Sequence, residues 1–436
     1  MMASTRSAHT FHIPVMGTGF TIDSPLHVAR YGISSVISLV DDILIEQMRR
    51  FYSEKLGRPY EAVDKRDEDA RAKRITSYLN LVHEEVSRQS VELRASPFEA
   101  GSEITRYYEL LPESPLKAIY RDMLECDDKD RKTELESTLR AAAVPGGIDV
   151  NVMTKLDRVP YRNGRLVEQE FSDAMAALRG FAQSDVSSAI VFSAGLNTHL
   201  YGYLTEFPDF LPDEQGVSRK TVTLKVSDYR SALVQGRFLA KRGIWVSEFR
   251  IESGLNCGGH AFASKGTLMG PILEEFKAKR DELVERLHRE YTKGLAARGE
   301  SALGEPREML VTAQGGIGSS AENQALLQCY RMDRTGWATP FLLVPEATSV
   351  DDEHLQRLCA ATEDDVELGN GSPMGIPFWT LKTSASEVSR RERIAEGKPG
   401  SPCPKGFLSL FPEFSDEPLC HASRSYQALK LAAIEK

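Results

Sequence analysis

The stretch Met309–Leu343, MLVTAQGGIGSSAENQALLQCYRMDRTGWATPFLL, decides how the chain is read. An apolar run, Met309–Ala313, reads as a strand, and Gly315, Gly316 and Gly318 make a turn. A helix follows, and a second turn comes at Gly336-Trp337-Ala338-Thr339. Ser319 and Glu322 form an S-x-x-E capping box, which starts the helix directly after the glycines. In an eight-stranded α/β barrel the loops after strands seven and eight, with a helix N-terminus, commonly form a phosphate site. Glycines let backbone N–H groups approach the anion, and the helix dipole favours it. Both turns have that form. The same glycines equally suit tight βα turns that need them for backbone angles alone, and this stretch by itself does not choose.

Working outward, the N-terminal side repeats the same alternation. His12–Gly19 is a short apolar strand ending in glycines, Pro25–Tyr31 a helix and Ile33–Val40 a second strand. Asp41 and Asp42 then cap a helix over Ile43–Leu56, whose Ile45, Met48, Phe51 and Tyr52 recur at helical spacing. After Pro145-Gly146-Gly147, strands are predicted at Ile148–Thr154, Ala189–Ser193, Val222–Val226 and Trp245–Glu252. Helices are predicted at Phe171–Ala182, Ser231–Ala240 and Gly270–Ala297, before the strand at Met309 and a last short one around Arg334–Ala338. Eight strands separated mostly by helices imply a parallel sheet closed into a (β/α)8 TIM barrel, an α/β fold.

Two parts stand outside this rhythm. From about Arg58 to Ala143 the chain is charged and helical, with segments near Glu68–Arg94, Ser102–Leu111, Pro115–Cys126 and Asp130–Ala143. A barrel does not place so many residues between neighbouring strands, so this reads as a helical insertion that projects from a βα loop or covers the barrel mouth. Beyond Val350 the alternation stops, and the tail is rich in Gly, Pro and Ser yet keeps aromatics such as Phe378, Trp379 and Phe407–Phe414. The expected organisation is a barrel of residues 10–57 and 145–350, a helical insertion at 58–144, and a C-terminal extension or lid at 351–436 packed on the barrel.

Composition narrows the class. The chain has 436 residues, 41% of them hydrophobic and 27% charged. No apolar run approaches the roughly 20 residues of a membrane span, and the N-terminus lacks the apolar core of a secretory signal, so a cytoplasmic protein without membrane partners is expected. A net charge of −9 argues against a protein that coats nucleic acid. Six cysteines without a C-x-x-C pair favour reduced thiols, and Cys359, Cys403, Cys420 and His421 fit no compact metal motif, so no metal is expected. A homo-oligomer formed through the helical insertion is the partner expectation.

Barrel enzymes carry their working residues at the C-terminal ends of strands. Here those ends offer Met16-Gly17-Thr18-Gly19, Asn151 with Lys155, Ser193 to Asn197, and Lys225 with Asp228. The sixth end is the most informative: Glu252-Ser-Gly-Leu-Asn-Cys-Gly-Gly-His260. Its glycines admit a flat ligand, and an imidazole following Gly258-Gly259 suits proton abstraction near neutral pH. Lys225 offers either a cation near a ligand or one half of a salt bridge. Cys257 is either a redox-sensitive thiol or a small buried filler.

These pieces, in this order, resemble the nitronate monooxygenase-like family of FMN-dependent TIM barrels, which also includes FMN-dependent enoyl-ACP reductases and the barrel reductases of polyunsaturated fatty acid synthases. The resemblance rests on Pro14 to Gly17, on Asn151 within Val150-Asn151-Val152, on Cys257-Gly258-Gly259-His260, and on the loops at Gly315-Gly316-Ile317 and Gly336–Thr339. It covers the barrel alone, and the family usually has alanine where this chain has Cys257. The resemblance implies an FMN held by Met16, Gly17, Thr18 and Asn151, its phosphate held by Gly315, Gly316, Gly336, Ala338 and Thr339, and His260 as general acid or base beside the ring. Lys225 would stand near the N1–C2=O edge of the reduced ring. The implied activity is an FMN-dependent oxidoreductase, with oxidation of a nitronate by O2 as the first expectation and NAD(P)H-dependent reduction of an enoyl-type double bond as the second. A barrel that binds a phosphorylated ligand without redox chemistry is the alternative class, either an aldolase- or isomerase-type enzyme, an aldolase needing Lys155 or Lys225 as its Schiff-base lysine, or a silent scaffold whose helical insertion recruits a partner.

Overall fold

Period-two alternation is clearest in the strand Thr221–Val226: Val222, Leu224 and Val226 are buried in the shell beneath the helices, while Thr223 and Lys225 turn to the inside of the sheet. In this computed structural model, which describes residues 8–435 except 65, 155, 163–164, 194, 214–215, 253–268, 301–303, 370, 372–377 and 411, that strand is the fifth of eight. They are β1 (Phe11–Ile13), β2 (Ser34–Ser38), β3 (Ile148–Val152), β4 (Ala189–Phe192), β5 (Thr221–Val226), β6 (Val246–Glu252), β7 (Leu310–Gln314) and β8 (Arg334–Gly336). Each pairs in parallel with its sequence neighbours, and β8 pairs with β1 through His12 and Gly336, which closes the barrel. All eight strands lie where the sequence places them. One irregularity separates β5 and β6: Val222 faces Val246 but Thr223 faces Glu248, so the bulge at Ser247 sets Glu248, Arg250 and Glu252 on the inner face.

The return helices start from side-chain caps at the C-terminal rim. Asp41 caps α2 (Asp42–Lys55), which follows the short α1 (Ser24–Val28). Beyond the second strand come α3 (Ala70–Ala95), α4 (Glu103–Leu110), α5 (Pro115–Glu125) and α6 (Lys129–Ala142). Ser172 caps α7 (Asp173–Ala182), Asn197 caps α8 (Thr198–Tyr203) and Asp228 caps α9 (Tyr229–Ala240). The long α10 (Met269–Ala297) packs on α9, and Ser319 with Glu322 completes the expected capping box of α11 (Ser320–Gln328).

The segment read as an insertion divides in two. Helix α3 packs between α2 and α7 and buries Ile75, Tyr78, Leu79, Val82 and Val86, at helical spacing, in the main core, so it is a member of the helical ring. Helices α4 to α6 form a second core around Tyr107, Tyr108, Tyr120, Met123 and Leu139. They leave the chain between α3 and β3, and Tyr107 Oη donates to the carbonyl of Val144 just ahead of β3. Tyr31, just ahead of β2, donates through its Oη to Glu103 of α4. This unit therefore lies at the N-terminal end of the barrel and does not cover the mouth; the expectation of a mouth cover gives way because the helices emerge from an αβ connection.

After residue 351 the chain forms α12 (Asp352–Ala360), a hairpin of Val366–Gly369 with Phe378–Leu381, α13 (Ala385–Ala395) and α14 (Arg424–Ile434). Arg158 and Asp41 are among the residues that fasten it to the rim. The Arg158 guanidinium donates to the carbonyls of Lys405 and Gly406, and the Lys405 ammonium pairs with Asp41, the residue that caps α2.

Arg71 of α3 joins three elements of the ring. It donates to Asp42 Oδ1 at 2.7 Å, to the carbonyls of Leu39 and Val40 after β2, and to the carbonyl of Asp173 at the start of α7. Its removal strands buried acceptors, so Arg71→Met, which keeps most of the packing volume, is expected to lower unfolding free energy by about 3 kcal/mol in urea denaturation. An unchanged midpoint would mean that the ring closes without this clamp.

Candidate functional site

The inside of the barrel is charged where such barrels are usually filled with branched apolar side chains. Arg250 donates through Nε and one terminal nitrogen to the two oxygens of Glu248, at 2.8 and 3.0 Å, and both residues are buried. Thr312 and Thr223 donate their hydroxyls to the same carboxylate, at 2.6 and 3.3 Å. Asp149 of β3 lies 4.0 Å from Arg250 and accepts from Ser188 Oγ and the Ala189 amide. Burial alone would raise the pKa of Glu248, but Arg250 overrides it and holds the carboxyl down at about 2. For Asp149 burial wins over the more distant Arg250, and its pKa is raised.

Nearer the C-terminal end, a chain of hydrogen bonds crosses the barrel from β1 to β5. His12 Nε2 meets Gln314 Oε1 at 3.0 Å, Gln314 Nε2 donates to Glu252 Oε1, and Lys225 Nζ pairs with the same Oε1 at 3.1 Å. With its amide nitrogen turned toward Glu252, Gln314 can only accept from His12, so Nε2 of His12 carries the proton. Burial and the nearby Arg250 lower the His12 pKa to about 3, which keeps the ring neutral. Strand β8 lies between β1 and β7 and contributes no side chain here. A Cβ on Gly336 would meet Gln314 Cγ and His12 Nε2 at 2.7 Å, so glycine makes room for the bond between its neighbours. Within this run of bonds Glu252 Oε2 is buried and has no hydrogen-bond partner among the described residues.

The two glycine corners sit side by side. The Gly315 amide donates to the Gly336 carbonyl at 3.1 Å, and Gly315 and Gly316 both have left-handed backbones, φ +86° and +70°. The start of α11 already holds an anion of its own: Glu322 Oε2 accepts from the amides of Gly318 and Ser319, both at 2.9 Å, and from Ser319 Oγ at 3.0 Å. Those backbone donors lower the Glu322 pKa.

The other predicted residues divide. Met16 is buried in the same small core as Ala338, whereas Gly17, Thr18 and Thr339 are exposed at the rim. Asn151 is buried at the end of β3, paired with Ser38 and Val191. Lys225 Nζ pairs with Glu252 at the inner face of β5. His260, Cys257 and Lys155 lie outside the described residues. Among the described residues no cluster suited to a metal is found, Cys126, Cys329, Cys359, Cys403 and Cys420 are free thiols, and no helix is long and apolar enough to cross a membrane. Sequence reading passed over His12, Glu248, Arg250 and Gln314, and quoted Glu252 without giving it a role. The available signal was the run Glu248-Phe-Arg-Ile-Glu252, where charges alternate with apolar residues in a strand covered by helices.

Strand order and rim define the class, a (β/α)8 barrel with its polar site at the C-terminal mouth. No protein-family model matches the chain, and no curated protein does. Among solved structures it is similar to FabK from Thermotoga maritima, at 12% identity and TM-score 0.43 over 89% of this chain and 76% of that one. It is also similar to the enoyl reductase domain of MlnA from the macrolactin biosynthesis cluster of Bacillus amyloliquefaciens, at 14% identity and TM-score 0.38 over 74% and 67% of the two chains. A third likeness is to an IMP dehydrogenase/GMP reductase-like protein from Corynebacterium glutamicum, at 13% identity and TM-score 0.36 over 91% and 77%.

Acid should weaken this arrangement. His12 and His9, with pKa values lowered by burial to about 3 and about 4, stay neutral in the folded chain while they take up protons in the unfolded chain below the ordinary histidine value of 6.5. Stability contributed this way is fully present above that value and falls as pH drops toward 4, by about 2 kcal/mol per histidine between pH 7 and 5. Urea midpoints measured across this window should fall with acid, and His12→Gln should remove about half of that slope. A flat profile in the native protein would contradict the buried neutral state.

Proposed function

We propose that the chain is an FMN-dependent oxidoreductase. The observation that carries this reading is the anion-holding corner: the glycine turns after β7 and β8 are joined through Gly315 and Gly336, and the adjoining start of α11 stabilises a carboxylate through two backbone amides and a hydroxyl. A phosphate needs donors of this kind. Glu322 is exposed, so its side chain is free to swing out when a more highly charged anion arrives. The residues present thus fit the phosphate of FMN, and the motif resemblance supplies the rest of the reading.

In this reading Gly315, Gly316, Gly336, Ala338 and Thr339 hold the phosphate, and Met16, Gly17, Thr18 and Asn151 contact the ring system. FMN, when bound, supplies two-electron redox chemistry. His260 removes the proton that turns a carbon acid into a carbanion-like substrate, or returns one. Lys225, held by Glu252 at 3.1 Å, places a cation at the mouth where negative charge develops. Within the class, oxidation of a small nitronate-type substrate with O2 as acceptor is the reading we favour.

Purified full-length protein is expected to be yellow, with absorbance near ~450 nm and released FMN identified by chromatography. Aerobic turnover of alkyl nitronates should fall at least about a hundredfold in His260→Ala with colour retained, the loss typical of a missing general base. Anaerobic bleaching by NADPH without nitronate turnover would move the assignment to double-bond reduction. Colourless protein that takes up no added FMN would end the flavin reading, and borohydride trapping at Lys155 or Lys225 would then favour the non-redox class.

A further inference from the structure

Glu252 is the last residue of β6, 1% exposed, and its two carboxylate oxygens are treated unequally. Oε1 receives the Gln314 amide and the Lys225 ammonium, whereas Oε2 has no donor among the described residues. In the layer beneath, Arg250 turns Nε and one terminal nitrogen to Glu248, and both threonines face that same carboxylate. A buried carboxylate oxygen without a donor is costly, and a ligand that completes the bonding is one way to meet that cost.

The surroundings restrict what that ligand is. An ammonium would meet the Lys225 charge, and a carboxylate or phosphate would meet Glu252 itself. A neutral group suits both if it offers an N–H to Glu252 Oε2 and, on the adjoining atom, a carbonyl oxygen to Lys225 Nζ. That is the edge of a cyclic imide. We propose that Glu252 is a specificity-determining residue that reads an imide N–H at the barrel mouth, with Lys225 taking the neighbouring carbonyl. The inference rests on the flavin reading, because the pyrimidine-like end of FMN carries such an edge, N3–H between two carbonyls, and it adds which residue of this chain would face it.

The test compares FMN with N3-methyl-FMN, in which a methyl group replaces that hydrogen. Both are titrated into flavin-free full-length protein and followed by quenching of flavin fluorescence, so no turnover is needed. The native protein should prefer FMN by about tenfold or more, as sites built around a buried hydrogen bond do. Glu252→Gln is nearly the same size but must aim an N–H either at the Gln314 and Lys225 donors or at the ligand, and the preference should shrink to within about twofold. Glu252→Ala, which also makes room for the methyl group, should behave likewise and serves if the glutamine variant does not fold. Equal affinity of the native protein for the two flavins overturns the proposal while leaving the flavin reading intact. So does a preference that survives in both variants, which would mark steric exclusion. Failure of the native protein to bind FMN at all overturns the flavin reading and this inference with it.

Discussion

The Arg250–Glu248 pair governs the interior of this barrel. A guanidinium and a carboxylate sealed from water are tolerable only when each is neutralised and hydrogen-bonded, and breaking such a pair costs far more than forming it gains. Two bonds between the partners and two from Thr223 and Thr312 meet that condition. The same requirement reaches outward: Asp149 sits on the far side of Arg250, with Ser188 and a backbone amide in support. An interior filled this way does not tolerate the loss of one partner alone, because the counterpart is left buried and uncompensated. It also leaves the rim above it polar, and the bonding chain from His12 to Lys225 runs there.

Much of the fold was legible from residues alone, because a strand covered by helices on one side and facing a polar interior on the other has to alternate. Val222, Leu224 and Val226 show this directly, and the glycine corners punctuate the last two strands. The helix at Ala70–Ala95 was also legible as a helix. Its neighbours were not, because the stripe of Ile75, Tyr78, Leu79, Val82 and Val86 says only that one face is buried. Whether that face meets the barrel or a separate bundle depends on contacts with α2 and α7, residues about thirty and a hundred positions away in the chain. The side of the barrel on which α4 to α6 emerge is likewise a property of the assembled chain.

The candidate site was legible to a lesser extent. Spacing foresaw that the corners at Gly315 and Gly336 belong together, and the capping box at Ser319 and Glu322 formed as read. What spacing could not express is that Gly336 has a second task, to stand aside for the His12–Gln314 bond, because the residues that crowd it come from strands some 20 and 320 positions distant. Charged residues on a strand are ordinarily taken for a solvated face. Here Glu248, Arg250 and Glu252 are inward, and only the closed barrel explains it.

The helices α4 to α6 hang from the end of the barrel at which the strands begin, and the mouth opens at the other. Yet the core of that appendage is continuous with Met16 and Ala338, which belong to the same buried cluster as Tyr107 and Tyr108. A change of volume in that shared core is therefore transmitted along the outside of the barrel from one end to the other.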